Sequence, residues 1–420
     1  MKIAIIGYGS RGRLYASEFM KADDVEIVAV CDICADKLEQ AKQDCGEKAL
    51  LFENAESFFV QGKLADLCVV STQDATHEEY AIKAMSLGYD LLLEKPLAVT
   101  EKGCQAIYEA SKRYQRNVFV CHVLRYAPFF ATIKKELDSG KYGKVAVINL
   151  TENVGHWHQA HSYVRGAWAD TTKSSPMIVA KSCHDLDIIS YLIGTKCKSV
   201  SSIGSLEFFT RKNAPENSGE RCLECPLQKD CLYDAEKYYI TDEGKWVGKV
   251  LDEWPRNVLA TAPTREKLYE AIKKGPYGRC VFKCDNNAVD RQILNISFED
   301  GVLASFVMTA FSADSYREIH IHCEKGDIYG NMEKNKLTCS LFGTCKETAQ
   351  VTVIDIAQEN DEFAGHGGGD GRLVKDVLAN MRGEAAEKLT VIENSLRSHF
   401  IGFAAEKSRL LGGAVVNVDK

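Results

Sequence analysis

From residue 1 to 123 the chain alternates short apolar runs with amphipathic stretches, and this rhythm leaves few folds open. The runs Lys2–Gly7, Val25–Asp32, Leu67–Thr72, Tyr89–Glu94 and Val118–His122 have the length and content of buried strands. Between them, Asp74 is placed to cap a helix carrying Tyr80, Ala81, Ala84 and Met85 at helical spacing, closed by Gly88. Thr100 is placed to cap another that carries Ile107 and Ala110. Strands separated by helices pair in parallel, because each crossover needs a helix to return the chain and cover a face of the sheet. The expectation is an α/β, doubly wound parallel sheet over residues 1–123.

Beyond residue 124 the period changes to two. Leu294, Ile296 and Phe298 alternate on one side of Asp300-Gly301, and Val302, Ala304, Phe306 and Met308 on the other, which predicts an antiparallel hairpin. Val145–Val154, Arg317–Cys323, Lys336–Phe342 and Ala349–Ile356 read as further strands, and residues 371–382 and 391–411 as closing helices. Residues 124–420 are thus expected to form a second, α+β domain. Within it, residues 205–285 fit neither pattern; they are polar, cysteine-bearing and expected to be an insertion without an apolar core of its own.

A chain of 420 residues, 45% apolar, can bury two or three such cores. Its formal charge of −7 repels a nucleic-acid backbone on average, so no nucleic-acid partner is expected. No apolar run approaches the ~20 residues that span a bilayer, so no membrane partner is expected. The opening Met1–Gly7 segment is too short for a secretory signal. Most of the 16 cysteines sit singly in apolar segments, as Cys31, Cys68, Cys121 and Cys323 do, which is the usage of a reducing, cytoplasmic protein.

Directly after the first strand stands Gly7-Tyr8-Gly9-Ser10-Arg11-Gly12, followed by a helical stretch, with Asp32 closing the next strand. Glycines there let the backbone turn sharply and approach a pyrophosphate, whose charge then rests on the helix N-terminus. An aspartate at that second strand end accepts both ribose hydroxyls and repels a 2′-phosphate, which favours NAD over NADP. Ser71-Thr72-Gln73 and Glu94-Lys95-Pro96 end later strands, where ligands bind in such sheets. A lysine in that place can hold a substrate hydroxyl or move its proton.

Two further segments are rich in chemistry. Residues 155–168 bring together His156, Trp157, His158, His161, Tyr163, Arg165 and Trp168, hydrogen-bonding groups beside flat apolar rings, as sugar recognition requires. We read this as a carbohydrate-facing loop; a metal held by its histidines is disfavoured because no carboxylate or cysteine lies close in sequence. Cys222, Cys225 and Cys231 form a CxxC with a third thiol, for which Cys280, or else Cys284, supplies a fourth. A structural zinc is the expectation, with unligated thiols and an iron–sulfur cluster as alternatives. The glycine run 365–371 brings His366 and Asp370 to the start of a late helix, either against substrate or as a linker.

Taken together, Gly7–Gly12, Asp32, the Thr72 to His77 segment, Glu94-Lys95-Pro96 and His184-Asp185 resemble the glucose–fructose oxidoreductase, inositol dehydrogenase and MocA family. The resemblance implies a Rossmann domain followed by an α/β domain with an open, mostly antiparallel sheet, often engaged in homo-oligomer contacts. It implies that Gly7, Tyr8, Gly9, Ser10, Arg11, Gly12 and Asp32 hold the dinucleotide. It implies further that Thr72, Gln73, His77, Glu94, Lys95 and Arg125 line its nicotinamide side. Lys95 and His184 become the catalytic pair, while His161, Tyr163, Arg165 and Trp168 of the aromatic segment, with Asp185, are the expected substrate contacts. One position departs from the pattern: Ala180 stands where family members carry an aspartate four residues before the histidine. If the stretch is helical, Lys181, His184 and Asp185 share one face, and Lys181 takes over part of the proton relay. The activity implied is NAD-dependent oxidation of a sugar, glycoside or polyol hydroxyl. The alternatives are redox-neutral glycoside cleavage through a keto-sugar, and a silent dinucleotide or metabolite sensor.

Overall fold

The computed structural model describes residues 1–241, 251–356 and 365–418. The amino-terminal strands are β1 (Lys2–Ile6), β2 (Glu26–Cys31), β3 (Leu50–Phe52), β4 (Leu67–Val70), β5 (Asp90–Leu93) and β6 (Val118–Val120). They form one parallel sheet in the order β3-β2-β1-β4-β5-β6. The order reverses between β1 and β4, and at such a switch point the carboxyl ends of the strands leave a crevice. Ile3, Ile5, Leu67, Val69 and Leu92 face one buried layer; Ala4, Ile6, Cys68, Val70, Leu91 and Leu93 face the other. This two-sided burial is why these strands read as unbroken apolar runs. The three-residue β3 was not expected, since Leu50-Leu51-Phe52 is too short to show a period.

Two local readings of this half separate in the structure. Thr100 caps its helix as expected, its side chain accepting from the Gly103 N–H at 3.0 Å. Asp74 does not cap: it opens a short turn, and its carboxylate accepts from Trp168 Nε1 and Ser175 Oγ instead. The aspartate thus bonds across to the second half of the chain rather than to its own helix.

Among its described residues, that second half has nine strands: β7 (Val145–Gly155), β8 (Cys197–Ser205), β9 (Arg291–Phe298), β10 (Leu303–Ser312), β11 (Tyr316–Cys323), β12 (Gly326–Asn331), β13 (Lys336–Leu341), β14 (Gln350–Asp355) and β15 (Val416–Asn417). Their order is β14-β13-β12-β11-β7-β10-β9-β8-β15, antiparallel throughout except for the β7–β10 pair. The expected hairpin is β9–β10, with Phe306 opposite Leu294 and Gly301 at φ +88° in the turn. Helices Cys183–Ile193 and Ile392–Leu410 cover the inner face, with Leu186, Ile189 and Ile401 packed on Leu294, Ile296 and Phe306. Among the described residues no helix is long and apolar enough to cross a membrane.

The expectation that the insertion lacks a core is corrected. Phe209, Tyr233, Tyr238, Tyr239, Ile272, Val281 and Phe282 are buried together, and Trp157 and Val164 of the main domain pack into them. Aromatic rings scattered over seventy polar positions carry no periodicity, so this cluster is invisible until the short helices Ala235–Tyr239 and Arg265–Lys274 bring them together.

Candidate active site

The first helix, α1 (Ser10–Phe19), starts immediately beyond β1 on the glycine turn. Gly7 holds φ +93°, and a Cβ there would lie 2.7 Å from the Ser71 carbonyl oxygen; on Gly12 it would lie 2.0 Å from the Gly7 oxygen. These two glycines let the turn close against β4 and α1. Gly9 differs: a Cβ there meets nothing nearer than Lys37 Nζ at 3.9 Å, so the space beside it is open at the helix N-terminus, where an anionic phosphate is stabilised. Asp32 is 7% exposed and is aimed by two backbone donors, Tyr8 N at 2.7 Å and Cys34 N at 2.9 Å. Ser10 Oγ donates to Asn257 Oδ1 at 3.1 Å and Arg13 pairs with Asp252 at 2.5 Å, so the insertion reaches over the glycine turn.

Several residues expected at the cofactor have other partners. Arg11 pairs with Glu94 and Asp370, both at 2.6 Å, and donates to the Tyr15 hydroxyl. Its guanidinium braces the turn against β5 and the late helix Gly369–Met381, which also gives Asp370 a structural role in place of substrate contact. Glu94 is pushed up by burial, but Arg11 and Lys95 hold it below the usual carboxylate range. His77 is fully buried, its ring nitrogens on the carbonyls of Pro96 (2.7 Å) and Thr72 (3.2 Å), so it fixes the two strand-end loops from behind. Thr72 Oγ1 meets Thr76 Oγ1 at 2.7 Å, and Gln73 is exposed. Arg125 forms a buried fork on Asp187, at 2.7 and 2.6 Å, and donates to the carbonyls of Leu389 and Asn394. That guanidinium is committed inside the protein, and its expected place beside the cofactor is corrected accordingly.

The two halves meet at Lys95. Its Nζ donates to the Ala180 carbonyl at 2.9 Å, on the stretch that carries Lys181 and His184. The condition of one continuous helix is not met: Met177–Ala180 ends, Lys181 and Ser182 break the winding, and Cys183–Ile193 begins anew. The break leaves the Ala180 carbonyl available to the lysine. Lys181 Nζ lies 3.2 Å from Glu152 Oε1, and Arg317 bridges Glu152 (2.8 Å) and Asp185 (2.6 Å). Burial raises Asp185, while Arg317 and Lys181, acting against burial, hold Glu152 far down. Burial lowers Lys181 from the ordinary lysine range despite Glu152. Asp185 is therefore a support for Lys181 and Arg317, not the expected direct substrate contact.

His184 is 4% exposed and meets His122 edge-on, with ring centroids 5.8 Å apart; His122 in turn lies against His399 at 5.3 Å. Burial keeps His122 and His399 neutral, the latter pushed down to about 3. Sequence reasoning missed Glu152, Arg317, His122 and His399. The signal for the first two lies in the strand register, which pairs Arg317 with Glu152 across β11 and β7.

The aromatic segment is helical rather than a loop: Gln159–Arg165 winds as a π-helix after His156–His158. Its wide turn divides the expected substrate residues between two faces. Tyr163 and His158 stay with Trp168, with ring centroids 6.1 and 6.2 Å from Tyr163. His161 turns the other way, stacked on Tyr277 at 4.8 Å and bonded to the Tyr239 hydroxyl at 2.9 Å. Arg165 donates to the carbonyls of Arg279 and Tyr233 and to Cys222 Sγ at 3.3 Å. His161 and Arg165 thus belong to the insertion core, and their expected place at a substrate is corrected. Trp168 holds Asp74 across the domain boundary.

Cys222, Cys225, Cys231 and Cys280 line one small cavity, and Cys284 turns its Sγ to the Cys280 carbonyl instead. Among the described residues, only His320, His322 and Asp327 bring three ligand atoms within 4.8 Å of one another. No three of these sulfurs lie mutually within 4.8 Å, so the expected zinc gains no support from their spacing.

Comparison with known proteins agrees with this architecture. Residues 1–122 match the model of an oxidoreductase family with an NAD-binding Rossmann fold, and residues 134–409 match the family's C-terminal alpha/beta domain. Oxidoreductase YteT of Bacillus subtilis is 24% identical over 367 residues, covering 84% of this chain and 82% of its own. Inositol 2-dehydrogenase 2 of Saccharopolyspora erythraea is 26% identical over 283 residues, 66% of this chain and 79% of its own. Among solved structures, levoglucosan dehydrogenase in complex with NADH shares the fold at a TM-score of 0.71 with 17% identity, covering 100% of this chain and 99% of its own. A Kribbella flavida oxidoreductase domain protein does so at 0.71 with 18% identity, over 100% and 99%. With both family domains matched across nearly the whole chain, this protein belongs to the glucose–fructose oxidoreductase, inositol dehydrogenase and MocA family of NAD-binding oxidoreductases.

Proposed function

We propose that this protein is an NAD-dependent dehydrogenase that oxidises a ring hydroxyl of a sugar, glycoside or polyol. The observation that carries the reading is the reach of Lys95 from the end of β5 to the Ala180 carbonyl, which sets a cationic donor beside the segment bearing Lys181 and His184. Gly9 and Asp32 would hold the dinucleotide, whose nicotinamide supplies the hydride acceptor. Lys95 orients the hydroxyl, and the His184 imidazole takes its proton as the carbon-bound hydrogen leaves. Lys181, steadied by Glu152, adds a second ammonium group beside Lys95 toward an oxygen that gains negative charge. Tyr163, His158 and Trp168 give a sugar its flat faces. Asp32 favours NAD because its carboxylate, aimed by the Tyr8 and Cys34 N–H groups, accepts ribose hydroxyls and repels a 2′-phosphate. The names of the inositol and levoglucosan dehydrogenases among its relatives support this substrate class.

A homo-oligomer is part of the same reading. Ile203, Ile293 and Val307 stand in one register row on the outer face of the second sheet, and the first two are more than half exposed. Light scattering should return the mass of a dimer or tetramer. Activity is tested by screening NAD reduction against sugars, glycosides and polyols with the wild type and His184→Ala. The reading expects NADH with at least one polyhydroxyl compound and its loss in the variant. Product without net NADH would point to redox-neutral cleavage, and no turnover with any compound would contradict an enzyme of this class.

A further inference from the structure

The loop that carries Lys95 is held partly by its own half of the chain and partly by the last helix. The Lys95 N–H donates to Glu94 Oε2 at 3.0 Å and its Nζ to the Ala180 carbonyl at 2.9 Å, while His77 holds the Pro96 carbonyl at 2.7 Å. Pro96 has no N–H, so Leu97 supplies the first backbone donor beyond the lysine. That donor goes to Nε2 of His399, 3.0 Å away and 302 residues on, in the helix Ile392–Leu410.

The bond fixes the form of the imidazole. A backbone N–H only donates, and the Ser395 carbonyl, 3.0 Å from Nδ1, only accepts, so His399 carries its hydrogen on Nδ1 and presents the Nε2 lone pair to Leu97. Complete burial keeps that lone pair unprotonated. The same helix reaches the other end of Lys95. A Cβ on Gly402, three residues beyond His399, would lie 3.0 Å from Val179 Cγ2 and 3.5 Å from Leu186 Cδ1. The helix is thus seated against the segment that ends in Ala180 and against the helix that carries His184. His122 fills the space between, its ring 5.3 Å from His399 and 5.8 Å from His184, with neither nitrogen hydrogen-bonded among the described residues.

We propose that His399 is a positioning residue that, through the Leu97 N–H, sets how far Lys95 stands from the His184 side of the site. This rests on the role given to Lys95 under the proposed function. Three variants are compared with the wild type on the substrate that the screen identifies. His399→Leu keeps bulk and removes the acceptor, His399→Gln puts an amide oxygen in place of Nε2, and Ile401→Val loosens the buried face of the same helix away from Leu97. His399→Leu should lower kcat by about 10–10²-fold with NADH affinity kept within about twofold, His399→Gln should restore most of that loss, and Ile401→Val should leave kcat unchanged. An unchanged kcat in His399→Leu, or an equal loss in Ile401→Val, would overturn the positioning role. Turnover that survives Lys95→Ala would instead overturn the reading on which it rests. Hydrogen exchange at the Leu97 amide needs neither substrate nor variant: strong protection is expected in the wild type, and rapid exchange there would overturn the proposal even if no substrate is found or His399→Leu does not fold.

Discussion

Single atoms decide what the glycine turn tolerates. Gly12 and Gly9 belong to one motif, yet their surroundings are opposite, since a Cβ on Gly12 meets the Gly7 oxygen at 2.0 Å and one on Gly9 meets open space. Gly12→Ala should therefore lower Tm by several degrees, as expected of overpacking that costs about 1–3 kcal/mol. Gly9→Ala should leave Tm within about a degree, a surface-like change, while weakening NADH binding in a fluorescence titration. Equal melting losses in both would contradict this division. Titration offers a second test at this scale. Burial pushes His161 and His399 down to about 3, whereas both take up a proton near 6.5 when unfolded. Between these values the unfolded chain binds more protons, so stability is fully present above pH 6.5 and falls as pH drops toward 3. His161→Phe, which keeps a ring against Tyr277, should flatten the decline of Tm between pH 6.5 and 4. An unchanged slope would show that His161 is not buried neutral.

Elements show where sequence reading succeeded and where it stopped. The parallel strands and the β9–β10 hairpin were legible because burial imposes a local period, continuous for a sheet covered on both faces and alternating for one covered on a single face. The glycine turn and Lys95 were legible because backbone geometry and strand ends fix their place. The partners of Arg11, Arg125, His161 and Arg165 were not, since Asp370, Asp187, Tyr239 and Cys222 lie 359, 62, 78 and 57 residues away in sequence. A charged or aromatic side chain looks the same in sequence whether it faces a ligand or an interior partner. The break at Lys181 and Ser182 was hidden for a related reason, because helix continuity there is decided by packing and by Lys95. One bond between elements is directly testable. Trp168→Phe removes a donor from the buried Asp74 carboxylate, leaving Ser175 at 3.3 Å, and should cost about 1–3 kcal/mol in denaturant unfolding. A cost below about 0.5 kcal/mol would mean that the bond does not hold the two halves together.

The whole molecule is two sheets joined by the Lys95–Ala180 and Trp168–Asp74 hydrogen bonds, with an insertion that bonds to α1. In the proposed site the Rossmann half would supply the open helix end, Asp32 and Lys95, and the second half His184, Lys181 and the aromatic π-helix. Asp252 and Asn257 of the insertion touch α1 while its rings pack on Trp157, so one inserted segment contacts both halves. The account stands on Lys95 acting from one half on a hydroxyl held against the other. The most direct measurement compares the wild type with Lys95→Ala, using calorimetry for NADH binding and steady-state turnover on whichever substrate the screen identifies. Retained NADH binding with turnover reduced by about 10²–10⁴-fold is predicted. Wild-type protein that releases no heat with NADH, or a variant that turns over unimpaired, would contradict it.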